Sequence, residues 1–257
     1  MRKSNCDTIV FIHGYNVSFK EAMKAAAKIG RNFAGLNSGR GVNILAFSWP
    51  SDGSMAPWIA YSSDRRDAAA SGPAFARGIL KLRDFVHEMS ERDACSQKIH
   101  LIAHSMGNYV LRHALQEIRQ QSPTGLPRIF DQIFLMAADE DDDAFEHNHK
   151  LRLLPRLARR VNVYFNRGDT AISLSDKTKG NPDRLGDDGP RAPFQVPAKV
   201  TQTDCTEVVK GLVGHSYYAN EPKVVQDMAQ VLEGLDPTLV KGRTFRDDRN
   251  RFVIDRR

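Results

Sequence analysis

Short apolar runs alternate along this chain with longer segments whose apolar residues recur every three or four positions. The first pattern reads as a buried strand and the second as an amphipathic helix. Thr8 to Ile12, Val42 to Phe47, Ile99 to Ile102, Gln132 to Met136, Val161 to Phe165 and Lys199 to Thr203 are the strand-like runs. Ser18 to Phe33 has helical spacing, with Ser18 and Glu21 placed as a capping box. Ala74 to Met89 carries Phe75, Ile79, Leu82, Phe85, Val86 and Met89 on one helical stripe. Asn108 to Ile118 and Val224 to Leu235 predict two more helices, and Ala171 to Ser175 the start of a short one.

Strands that alternate with helices, and that are apolar throughout rather than at every second residue, predict an α/β fold. The sheet is expected to be mainly parallel, with helices on both faces. Asp176 to Pro197 is rich in Gly, Pro and charge and reads as a surface loop. The chain shows no internal repeat. One domain is expected over residues 1–240, followed by a charged, partly disordered tail over 241–257.

The chemistry centres on Ala103-His104-Ser105-Met106-Gly107, between an apolar strand and a helix. A nucleophile elbow needs that setting: a tight turn, small flanking residues and a serine lifted above the sheet edge. A serine becomes a nucleophile only when a histidine takes its proton and a carboxylate orients that histidine. On an α/β sheet the three occur in the order serine, acid, histidine. Ser105 is followed by Asp169, after the strand ending at Phe165, and by His215, in Gly214-His215-Ser216-Tyr217-Tyr218. Asp139, at the end of the strand Gln132 to Met136, is the alternative acid. Asp169 also fits a turn or cap.

An oxyanion hole needs two backbone N–H groups aimed at the developing charge. Met106, just after the serine, supplies one candidate. Tyr15, in His13-Gly14-Tyr15-Asn16 after the first strand, supplies the other. Trp49, Trp58 and Tyr61 are expected in the loop after the strand Val42 to Phe47, and Tyr217 and Tyr218 follow His215. Trp49, Tyr217 and Tyr218 are taken as candidate substrate-binding residues, with core packing an equal alternative for each. Arg184, among Lys177, Lys179 and Arg191, is weighed as a contact for an anionic substrate group, although a solvated loop explains it better. Asp139 to Asp143 lacks the glycine and spacing of a calcium loop and reads as a solvated loop and helix start. His100 reads as structural, His104 as packing at the elbow, and His147 and His149 as surface residues. No metal and no organic cofactor is called for.

His13-Gly14-Tyr15-Asn16, Phe47-Ser48-Trp49-Pro50-Ser51, Ala103-His104-Ser105-Met106-Gly107-Asn108 and Gly214-His215-Ser216-Tyr217 resemble the α/β-hydrolase superfamily. They are most similar to its bacterial domain-of-unknown-function 900 branch, as are Arg167-Gly168-Asp169-Thr170-Ala171 and Arg184-Leu185-Gly186. The resemblance implies an α/β-hydrolase core with Ser105, Asp169 and His215 as triad. It supplies no substrate. The first strands of the superfamily sheet are expected to be missing. No long helical insertion separates the strand ending at Met136 from the strand at Val161, so no large lid is expected.

Composition changes the picture little. With 257 residues, 41% hydrophobic and 26% charged, the chain belongs with ordinary globular proteins able to bury a large core. No run reaches the length of a membrane span. Cys6, Cys95 and Cys205 show neither metal-ligand nor redox spacing. With no signal-peptide pattern at the start, they fit a cytoplasmic protein with free thiols, though a piece of a longer exported protein would look the same. The net charge of +6 is spread among acidic residues and no nucleic-acid motif accompanies it, so no nucleic-acid partner is expected. The expected reaction is hydrolysis of a small carboxylic ester, or a thioester, through an acyl-enzyme. The rivals are an acyltransferase, a lipase or an amidase on the same scaffold, and a non-catalytic binding protein. Oligomeric state is not legible.

Overall fold

Every residue of Thr8–Ile12 (β1) is buried, so this strand needs neighbours on both edges and cover on both faces. The computed structural model supplies them; it describes residues 6–51, 57–92, 97–122, 125–169, 183–209 and 214–256, the side chains of 57–59, 86–87 and 89–92 apart. Asn43–Phe47 (β2) and Ile99–His104 (β3) flank β1 in parallel, with Ile12 opposite Phe47 on one side and Ala103 on the other. Phe130–Met136 (β4), Ala158–Phe165 (β5) and Val200–Asp204 (β6) continue the parallel sheet. The order is β2-β1-β3-β4-β5-β6, continued by Arg251–Ile254 (β8) and then Arg243–Arg246 (β7). The chain moves outward one way from β1 to β2 and the other way from β1 to β3. Ligands of open parallel sheets bind at such a reversal, beyond the carboxyl ends of the strands. The loops after β1 and β3 meet there.

Side chains alternate between the faces along each strand. Val10, Ile12, Leu101, Ile133, Leu135, Val161 and Val163 build one core. Pro57–Arg92 (α2) and Gly107–Gln121 (α3) cover it with Phe75, Ile79, Leu111 and Leu115. Ile9, Phe11, Ile102, Phe134 and Tyr164 build the other core, beneath Phe19–Asn32 (α1) and Pro222–Leu232 (α4). The Ser18–Glu21 capping box opens α1.

Two expectations change. α2 starts at Pro57, well before Ala74. The polar run Ser62-Ser63-Asp64-Arg65-Arg66-Asp67 hides its first turns from a periodicity argument, because several of these residues face polar partners at the sheet edge. The tail is not set apart. Arg243–Arg246 (β7) and Arg251–Ile254 (β8) pair antiparallel, and β8 lies parallel to β6. Arg251 is buried and donates to Asp188 at 2.7 Å, so charge there marks ion pairing rather than disorder. The expected short helix at Ala171 to Ser175 falls outside the described residues. Turns and one 3-10 turn, Leu154–Arg156, join β4 to β5. No described helix is long and apolar enough to cross a membrane.

Candidate active site

Ser105 has φ 52, the left-handed region that a side chain other than glycine occupies at a cost. Its surroundings hold it there. Its N–H donates to Met136 O at 2.9 Å, and its carbonyl accepts from the Asp139 N–H at 3.2 Å and the Asn108 N–H at 3.0 Å. The Asn108 amide adds bonds to the carbonyls of Ala103 and Ser105. A Cβ on Gly107 would sit 2.6 Å from His13 O, so only glycine lets α3 start this close to the loop after β1. Ser105 therefore stands at the head of α3, where the helix dipole favours negative charge.

Asp169 ends a turn built on Asn166, whose carbonyl accepts from the Asp169 N–H at 3.0 Å. Its carboxylate is buried and lies 2.8 Å from His215 Nδ1. Nδ1–H is thus the donor, and Nε2 is left as the proton acceptor. His104 holds the other side of this loop. Its Nε2 donates to His215 O at 3.0 Å, and the two rings lie 4.7 Å apart. Burial, then the neighbouring His215, push the His104 pKa well below the usual histidine range. His104 is therefore a neutral donor, and it links the elbow to the loop of His215.

The loop after β1 is tied down as firmly. Trp49 N–H donates to His13 Nε2 at 3.2 Å, which makes Nδ1 the protonated nitrogen of His13. That Nδ1–H donates to Gly14 O at 2.9 Å. Gly14 C=O and Tyr15 N–H belong to one planar peptide and point in opposite directions, so a bond to the carbonyl orients the N–H. Trp49 Nε1 donates to His13 O at 2.9 Å, and its ring stacks on His13 at 5.3 Å. Burial lowers the His13 pKa and keeps Nε2 an acceptor. Met106 caps the N-terminus of α3, where N–H groups have no partner within the helix.

A family profile described as alpha/beta hydrolase of unknown function (DUF900) matches residues 1–234. The chain belongs to DUF900. An uncharacterized protein of Nostoc sp. (strain PCC 7120) is 29% identical over 140 residues, which are 46% of this chain and 34% of that protein. The chain thus spans about a third of that relative's length. A crystal structure assigned to the alpha/beta hydrolase superfamily, from Xanthomonas campestris pv. campestris, is 14% identical over 89% of this chain and 99% of its own, with a TM-score of 0.34.

In this DUF900 chain the aromatics expected to wall a pocket are buried: Trp49 is 3% exposed, Tyr217 2% and Tyr218 4%. Trp49 holds His13, as described above. Tyr217 OH donates to Tyr164 O at 2.7 Å and accepts from the Ala137 N–H at 2.9 Å. Tyr218 packs between His104 and Phe11. Rings with so little free surface serve the core here. The side chain of Trp58, and all of Lys177 and Lys179, lie outside what the structure describes.

Asp139 to Asp143 is neither a solvated loop nor a helix start: it runs through turns, with Asp139 and Glu140 buried. Asp139 is buried and accepts from Tyr61 OH at 2.7 Å, while Arg184 Nε lies 3.4 Å from it. Arg184 is 1% exposed and also donates to Asp141 at 2.6 Å. Backbone bonds explain this burial: Leu185 N–H donates to Glu140 O and Gly186 N–H to Ala138 O. The Arg184-Leu185-Gly186 segment therefore locks onto the turn after β4, and Arg184 is a buried ion-pair partner rather than a surface contact. Tyr61 reaches this turn from α2, and its ring lies 5.8 Å from that of Tyr15. Sequence reasoning placed Tyr61 in a loop and missed Asp64 altogether. Only the early start of α2 brings them to the site.

Proposed function

We propose that this chain is a serine hydrolase that cleaves carboxylic esters, thioesters included, through an acyl-enzyme. The observation that carries the reading is the His215 Nδ1 to Asp169 carboxylate bond at 2.8 Å, in a loop that His104 ties to the elbow, whose Ser105 is in the left-handed conformation. Asp169 fixes the imidazole tautomer. His215 Nε2 takes the proton from Ser105 Oγ as the oxygen attacks the substrate carbonyl carbon. The carbonyl electron pair moves to its oxygen, where the N–H groups of Tyr15 and Met106 stabilise the anion. Collapse expels the alcohol or thiol, which takes the proton from His215. Water then attacks the acyl-enzyme with His215 again as base, and the acid leaves. An alcohol in place of that water would make the same site an acyltransferase. Cys6 and Cys205 are free, buried thiols, a usage that suits the reducing cytoplasm.

The test is labelling by a fluorophosphonate probe, paired with hydrolysis of p-nitrophenyl esters of graded chain length. The wild type is expected to label and turn over, and Ser105→Ala to do neither. Wild-type turnover by Ser105→Ala, on an ester the protein hydrolyses, would remove this mechanism.

A further inference from the structure

Asp64 is fully buried on α2, and one of its oxygens, Oδ1, has no hydrogen-bond partner among the described residues. Among the described residues no Lys or Arg forms an ion pair with it. A buried carboxylate without a countercharge is unfavourable for the fold unless it makes hydrogen bonds, so its two bonds are informative. Oδ2 accepts from Ser51 Oγ at 2.7 Å and from the Asn16 N–H at 3.4 Å. Ser51 Oγ in turn accepts from the Val17 N–H at 3.4 Å.

These two N–H groups are the pair that directly follows Tyr15. Asn16 has φ 52, a conformation that persists only where its surroundings over-determine it. His13 holds the peptide before Tyr15 by its carbonyl. Asp64 holds the peptide after Tyr15 by its N–H. Tyr15 is thus gripped on both sides, by the side chains of His13 and Asp64. Ser51 comes from the loop after β2 and Asp64 from α2, so the grip joins three separate segments.

We infer that Asp64, with Ser51, is a positioning residue for the oxyanion loop: it clamps the Asn16 and Val17 N–H groups and so aims the Tyr15 N–H at the substrate oxygen. The inference rests on the hydrolase reading given above. Misaiming one donor weakens transition-state binding and leaves ground-state binding nearly unchanged. The clamp therefore acts on kcat rather than KM.

The experiment compares Asp64→Ala, Asp64→Asn and Ser51→Ala with wild type, by ester kinetics and by amide hydrogen exchange at Asn16 and Val17. The alanine variants are expected to lose about 10- to 100-fold in kcat, less than or near the loss from deleting an oxyanion donor outright. Their KM should stay within about twofold, and exchange at both amides should quicken. Asp64→Asn keeps an acceptor for Asn16 and should recover most of the rate. Should Asp64→Ala fail to fold, Ser51→Ala, which removes only one oxygen, carries the test. Unchanged exchange in the alanine variants overturns the clamp. Quickened exchange with wild-type kcat overturns its role in catalysis. A wild type inert to esters and to fluorophosphonate removes the hydrolase reading instead, and amide exchange alone then decides whether the clamp exists.

Discussion

Gly14 stands so close to Ser105 that a Cβ on residue 14 would lie 2.7 Å from the serine Cβ. The next neighbours of that Cβ would be His104 Nδ1 and His104 O, so nothing there can give way without moving the elbow. Gly14→Ala is expected to lower kcat/KM by at least about 100-fold, the scale of losing an oxyanion donor. Steady-state kinetics and a circular dichroism melt check it. A large fall in activity from a protein that still melts cooperatively is the expected result, and wild-type activity would show that the loop tolerates displacement.

Ser105→Ala, His215→Ala and Asp169→Asn should each abolish most ester hydrolysis, and the double and triple variants should lose little more. In the proposed mechanism the three act as one unit, so their losses should not be additive. Independent, multiplying losses measured across the set of variants would count against a shared proton path.

Asp139→Asn should separate stability from chemistry. Asp139 is bound by Tyr61 and Arg184, not by His215. Breaking a buried ion pair on one side costs about 3–5 kcal/mol. Chemical denaturation should show a loss of that order, with a fall in kcat far smaller than that of Asp169→Asn. The reverse ranking of kcat would make Asp139 the acid.

Arg184→Ala leaves two carboxylates, Asp139 and Asp141, without this partner. A destabilisation of about 3 kcal/mol or more is expected. Its effect on KM should be the same for a carboxylate-bearing ester and its neutral analogue, because a side chain 1% exposed does not meet substrate. A selective rise in KM for the charged ester would return Arg184 to the binding site.

Glu140 gives a pH signature. Burial pushes its pKa up to about 7, against the opposing pull of Arg112 and Arg65. Between the ordinary glutamate pKa of about 4.3 and 7, the folded chain holds this proton and the unfolded chain does not. The contribution is therefore fully present below the lower value and is lost as pH rises toward the upper one. In Glu140→Gln this loss disappears. Melting temperatures from pH 4.5 to 8 should show the variant gaining on wild type across that window, and a constant difference would contradict the raised pKa.

Much of this protein was determined by its sequence alone. The apolar runs specify the strands because a strand covered on both faces favours apolar residues along its length, and the predicted run Thr8–Ile12 coincides with β1. The elbow was legible because the turn at Ser105 tolerates few residue types. The order of Ser105, Asp169 and His215 was likewise a property of the chain. What only the tertiary structure decided are contacts between distant segments. Tyr61 and Asp64 lie in a polar stretch with no apolar period, and they matter because α2 begins early enough to reach the loops after β1 and β4. Arg184 looked like a solvated charge until its backbone paired with the turn after β4. Trp49, Tyr217 and Tyr218 looked equally fit for pocket or core, since burial depends on what packs over a ring. The tail past Lys241 looked disordered because its charges have partners, such as Asp188 for Arg251, that lie far away in sequence.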